Sequence, residues 1–69
     1  MRYEPISLPP GVQARLMETL GFVPRIAPAS VARAIEALWA RRNVCPESEV
    51  EKIDREMEAT LRAHLVQAG

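Results

Sequence analysis

The sequence predicts an all-α fold: a compact three-helix domain with an extended N-terminal arm. Three observations point there. Apolar residues recur every three or four positions in three separate stretches, proline and glycine interrupt the chain between them, and 69 residues suffice for one domain only. A chain this short buries a smaller share of its surface than a larger domain, so its own core supplies only a few kcal/mol of net stability. Small domains offset this with disulfides, a metal, regular helix packing or a partner subunit. Cys45 is the only cysteine, which excludes an internal disulfide. Cys45 and His64 are the only soft metal ligands, too few for a closed zinc site. Helix packing and self-association remain, and a homodimer is expected.

The arm covers residues 1–8. Pro5, Pro9 and Pro10 restrict the backbone, and Ile6 and Leu8 alternate about Ser7, so any strand here is short or at an edge. The first helix is expected over 9–20, with Val12, Leu16 and Leu20 on one stripe and Met17 at its margin. Gly21 is placed to end it in a left-handed conformation. The segment from Phe22 to Ala27 reads as a connection broken by Pro24, although Phe22, Val23 and Ile26 are too apolar to stay in water without a packing role.

The second helix is expected over 28–42. Val31, Ile35 and Leu38 form its centre line, and Ala32, Ala34 and Trp39 widen the apolar arc to roughly 160° at ~100° per residue, enough to touch two neighbours. Arg41 and Arg42 fall in its last turn, at the negative end of the dipole, and Asn43 is placed to stop it. The third helix is expected over 46–67, with Pro46, Glu47 and Glu49 suited to its first turn. Val50, Ile53, Met57, Leu61, His64 and Leu65 form its stripe, and Glu51–Arg55 and Glu58–Arg62 are i,i+4 pairs in the favourable order.

Net charge is zero but unevenly spread. Residues 1–45 hold six arginines against three glutamates (+3), and residues 46–69 hold six acids against Lys52, Arg55 and Arg62 (−3). If the third helix paired with a copy of itself through Val50, Ile53 and Met57, Glu49 would face Asp54 of the copy, and like charges oppose that register. An acid-edged seam prefers a basic neighbour, and the second helix offers Arg33, Arg41 and Arg42. The third helix is therefore expected to fold back on the other two.

The inventory speaks against catalysis. His64, Cys45 and three serines, Ser7, Ser30 and Ser48, show no nucleophile–base–orienter spacing, and the isolated Gly11, Gly21 and Gly69 make no phosphate-cradling loop. Cys45 and His64 read as packed residues, and Glu47, Glu51, Asp54 and Glu58 as a solvated face or as partners of arginines. No catalytic residue, cofactor or metal is expected, and the chain is read as no enzyme.

Two stretches carry a resemblance to DNA-binding proteins. Residues 27–38, Ala-Pro-Ala-Ser-Val-Ala-Arg-Ala-Ile-Glu-Ala-Leu, resemble the recognition helix of helix-turn-helix repressors. Ile6-Ser7-Leu8-Pro9 followed by two helices is similar to ribbon-helix-helix repressors, and that resemblance implies a strand pairing across a dimer with Tyr3, Pro5 and Ser7 facing DNA. Each covers less than half of the chain.

The reading favoured by the residues is a small regulatory interaction protein of inhibitor or adaptor type. It binds a protein partner and its own copy through Tyr3, Phe22, Arg33, Trp39, Arg41 and Arg42, with Trp39 either a core seal or an interface anchor. A dimeric DNA-binding repressor is the alternative. No apolar run approaches the ~20 residues a bilayer span needs, and no apolar stretch follows Met1 as in a signal peptide. With one free cysteine, a cytoplasmic location is expected. Eight arginines against one lysine point to a GC-rich bacterial or phage genome.

Overall fold

Three helices and a two-stranded ribbon make up the fold, in the order β1 (Tyr3–Pro5), α1 (Pro10–Leu20), β2 (Ile26–Pro28), α2 (Ala29–Val44) and α3 (Glu47–Ala68). The computed structural model describes residues 2–68, with side chains described as far as residue 65. Met1 of the expected arm and Gly69 lie outside the described residues.

Proline and glycine set the helix ends. Pro9, in extended backbone, caps α1, and its carbonyl accepts the Gln13 N–H at 3.0 Å. The Gln13 side-chain amide turns back to donate to the Leu8 carbonyl at 2.8 Å. At the other end Gly21 has φ 82°, and its N–H donates to the Met17 carbonyl at 3.0 Å. A Cβ at Gly21 would meet no atom within 4 Å, so the cost of a side chain there is purely conformational. Gly21→Ala is expected to lower stability by about 1 kcal/mol, seen as a lower urea midpoint at unchanged slope. An unchanged midpoint would contradict the left-handed cap.

The second helix runs to Val44, past the stop expected at Asn43. The physical reason is Pro46, whose ring excludes helical backbone from the residue before it, and Cys45 accordingly sits at φ −84°, ψ 159°. The Pro46 carbonyl then accepts the Glu49 N–H at 2.9 Å and opens α3.

The expectation of a purely helical chain needs one correction. The arm is not a free extended segment, and the 22–27 connection is not without structure: β1 and β2 pair antiparallel, with Tyr3 opposite Pro28, Glu4 opposite Ala27 and Pro5 opposite Ile26. The ladder extends at both ends, where Ile6 N–H donates to the Arg25 carbonyl at 2.9 Å and Ala29 N–H to the Arg2 carbonyl at 3.0 Å. Hydrogen-bonded and non-bonded pairs alternate in such a ribbon. Pro28 and Pro5 therefore fall in the non-bonded pairs, where the donor each one lacks would have pointed away from its partner. Both open edges are thereby blunted against a further strand.

Leu8, Val12, Leu16, Ile35, Ile53, Met57 and Leu61 form one buried cluster. α1 and α2 each pack closely on α3, while their own backbones nowhere come within 8 Å of each other, Cα to Cα. The stripe read on α3 supplies the centre of the core, whereas Ala34 of the arc read on α2 is exposed. Charge completes the docking. Arg42 Nε donates to Asp54 Oδ1 at 2.8 Å, Arg41 reaches Glu56 at 3.6 Å, and Arg15 of α1 reaches Glu58 at 3.8 Å and Glu51 at 4.0 Å. The two expected i,i+4 pairs also form, at 2.9 Å for Arg55–Glu51 and 3.6 Å for Arg62–Glu58. Of the basic residues expected to meet the acid edge, Arg41 and Arg42 do so, and Arg15 takes the place foreseen for Arg33. Glu58 is the most enclosed carboxylate of the set at 12% exposure, and its Oε1 has no hydrogen-bond donor among the described residues.

Candidate functional site

The ribbon turns one face outward. Because side chains of directly opposed residues share a face, Tyr3, Pro5, Ile26 and Pro28 lie together on one side and Glu4, Ile6, Arg25 and Ala27 on the other. Ala27 is buried, and on the opposite face Pro28 is also buried, whereas Tyr3 and Ile26, diagonal neighbours there, are 52% and 60% exposed. No charged side chain belongs to that outward face. Beside it the chain leaves a cleft of about 500 Å³ between the end of α1, the 21–25 loop and residues 6–8. Ile6, Leu8 and Val23 line it, as do Met17 and Phe22, which are 53% and 48% exposed. Among its lining residues Arg25 alone is charged, and it enters none of the ion pairs among the described residues. Of the five exposed large apolar side chains among the described residues, Met17 and Phe22 line this cleft, Tyr3 and Ile26 stand on the adjoining ribbon, and Val44 is apart at the end of α2.

The six residues singled out in the sequence divide into two groups. Tyr3 and Phe22 stand at the ribbon end as described, and Arg33 is exposed on α2 without an ion-pair partner among the described residues. Trp39 and Arg42 are engaged within the molecule, while Arg41 stays 61% exposed beside Glu56. The Trp39 indole N–H donates to the Ser7 carbonyl, and the Arg42 guanidinium lies 5.4 Å from the centre of its ring while bonding to Asp54. This chain of contacts ties the arm, α2 and α3 together. A smaller hollow of about 280 Å³ lies between β1 and α2, floored by Ala32 and Ile35 and edged by Trp39 and Glu36.

No family model matches this chain, and no curated protein or solved structure matches it. The site must be read from its own chemistry.

That chemistry is apolar contact with little charge. Among the described residues no cluster of His, Cys, Asp or Glu could hold a metal ion. Cys45 is half-buried, with its thiol against the Arg42 carbonyl at 3.5 Å. No described helix is long and apolar enough to cross a membrane. Met17, Arg25 and Ile26 were not among the candidate site residues, and Phe22 and Ile26, expected to need a packing role, are 48% and 60% exposed. The alternation Pro24, Ile26, Pro28 opposite Tyr3 and Pro5 was the available signal for Ile26, because two short proline-studded runs 20-odd residues apart are compatible with edge-protected pairing.

Proposed function

We propose that this protein is a small regulatory interaction protein that binds a protein partner, and its own copy, through the ribbon end, in the cytoplasm. The observation that carries the reading is a cleft with Met17 and Phe22 about half exposed on its wall, next to a ribbon that holds Tyr3 and Ile26 in solvent on its other face, in a domain whose arginine–acid pairs are spent on internal docking. Exposed aromatic and methionine side chains at a preformed concavity suit partner recognition, because aromatic rings contribute large contact area at low ordering cost and methionine adapts its shape to the partner. Supporting contacts from Arg33 belong to the same reading. Trp39, Arg41 and Arg42 act as supports for this surface rather than as its contact residues.

The alternative of a DNA-binding repressor has less support. In a helix-turn-helix unit the two helices pack closely across a short turn, whereas the backbones of α1 and α2 here nowhere come within 8 Å, Cα to Cα, and the two are separated in sequence by β2. In a ribbon-helix-helix dimer the first strand pairs with its copy, whereas β1 pairs with β2 and carries Pro5 towards its open edge. Five arginines, Arg15, Arg41, Arg42, Arg55 and Arg62, are engaged by carboxylates and so are poorly placed to neutralise phosphates.

The test is affinity capture from the native host with wild-type chain and with the double variant Phe22→Ser and Ile26→Ser as baits, alongside sedimentation equilibrium of each. Partners and self-association should fall about tenfold or more in the variant while helical circular dichroism is unchanged. Equal recovery and equal self-association with both baits would overturn the assignment of this surface. Binding to duplex DNA that weakens steeply with added salt would instead favour the repressor.

A further inference from the structure

We propose that the cleft between the end of α1, the 21–25 loop and residues 6–8 receives an extended acidic–apolar peptide segment of a protein partner, with Arg25 taking its carboxylate. The inference rests on the interaction reading above and names the chemistry of the partner.

Size and wall chemistry come first. About 500 Å³ accommodates one or two large side chains and a few residues of backbone, within the range of specific ligand sites. Met17, Phe22, Ile6 and Leu8 provide an apolar bed, and Met17 is the most adaptable of them because its thioether chain is unbranched. The walls are held before anything binds. Gly21 N–H holds the Met17 carbonyl at 3.0 Å, Ile6 N–H holds the Arg25 carbonyl at 2.9 Å, and Gln13 holds the Leu8 carbonyl at 2.8 Å. A preformed cleft loses little entropy on binding.

Charge selects the occupant. Arg25 is the only charged residue lining the cleft and has no acidic partner among the described residues, so an incoming carboxylate completes it as a charge-assisted pair. The end of α1 adds a second requirement. Of its last four carbonyls, Met17 alone receives a backbone donor, from Gly21, among the described residues, and Met17 and Gly21 bring this carbonyl end of the helix to the wall of the cleft. Helix carbonyl ends favour N–H donors and disfavour phosphates. A peptide supplies both groups, amide donors for α1 and a carboxylate for Arg25. A nucleic acid backbone supplies only the anion and would set it against the negative end of the helix.

The reporter is built in. Ser7 lines the cleft, and its carbonyl accepts the N–H of Trp39, the one tryptophan of the chain. Filling the cleft is expected to shift Trp39 emission.

The experiment is selection of a displayed library of random peptides, about a dozen residues long, on the immobilised full chain. Enriched peptides are then titrated as fluorescein conjugates into wild type, Arg25→Glu, Arg25→Lys and Phe22→Ala, with circular dichroism checking each fold. Enriched sequences should combine aspartate or glutamate with large apolar residues. Affinity should fall about tenfold or more in Arg25→Glu and in Phe22→Ala, and be partly kept in Arg25→Lys. Enriched peptides without acids, or equal affinity for wild type and Arg25→Glu, would overturn the acidic partner. The interaction surface itself would survive that result if Phe22→Ala still weakened binding. No enrichment, or binding unchanged in Phe22→Ala, would overturn the cleft as a site, while the capture experiment above would still decide the wider reading.

Discussion

Met57→Ala is expected to leave the chain largely unfolded at room temperature. Met57 is fully buried on α3 within the cluster of Val12, Leu16, Ile35, Ile53 and Leu61, where all three helices meet. Truncating a side chain at such a position costs about 2–5 kcal/mol, from lost transfer energy and from the cavity left behind. A domain of this size has only a few kcal/mol to lose. Helical circular dichroism and a cooperative urea transition should both disappear or shrink sharply. Met57→Leu, which conserves volume, is the control and should cost less than about 1.5 kcal/mol. A Met57→Ala protein with the wild-type midpoint would show that α3 does not supply the centre of the core.

Reversing the ion pair between α2 and α3 is expected to have the next largest effect. Arg42 and Asp54 are 27% and 18% exposed and bond at 2.8 Å, so neither is fully hydrated and each depends on the other. Arg42→Asp sets two carboxylates side by side at that position and removes the cation over Trp39. The expected loss is about 2–3 kcal/mol. Adding Asp54→Arg to Arg42→Asp should recover about half of it, because the pair reforms with its polarity exchanged while the indole contact stays lost. The pair Arg41–Glu56 is the internal comparison: at 3.6 Å, with both side chains at least half exposed, it should couple by no more than about 0.5 kcal/mol. If the double variant were no more stable than Arg42→Asp alone, charge would not be what seats α3 against α2. The two experiments separate apolar packing from charge as causes of the same docking.

Much of this architecture was legible in the residues because its signals are local. The stripes Val12–Leu16 and Ile53–Met57–Leu61 are helix-period patterns, and both became core. Gly21 announced its left-handed cap, and the opposite charges of the two parts of the chain foretold that α3 folds back on α1 and α2. The ribbon was only half legible. Strand-like alternation was visible at Ile6, Ser7 and Leu8, whereas the strand forms just before them at Tyr3–Pro5, and its partner lay in a run short enough to pass as a loop. Trp39, Arg41 and Arg42 were equally ambiguous, since an aromatic and two cations at the margin of an apolar arc suit either an interface or an internal junction.

The sequence by itself determined three helices, the core stripes of α1 and α3, the left-handed stop at Gly21 and the complementarity of an acidic C-terminal helix with arginines earlier in the chain. Tertiary structure alone decided that residues 3–5 pair with 26–28, that Arg15 rather than Arg33 meets α3, and that Trp39 closes on Ser7. The reason is range. Helix period and capping act over four residues and are written in neighbouring positions. Strand pairing and the choice of ion partners join residues that only the packed core brings within reach, and strand pairing sets the ribbon with exposed Tyr3 and Ile26 beside the cleft lined by Met17 and Phe22.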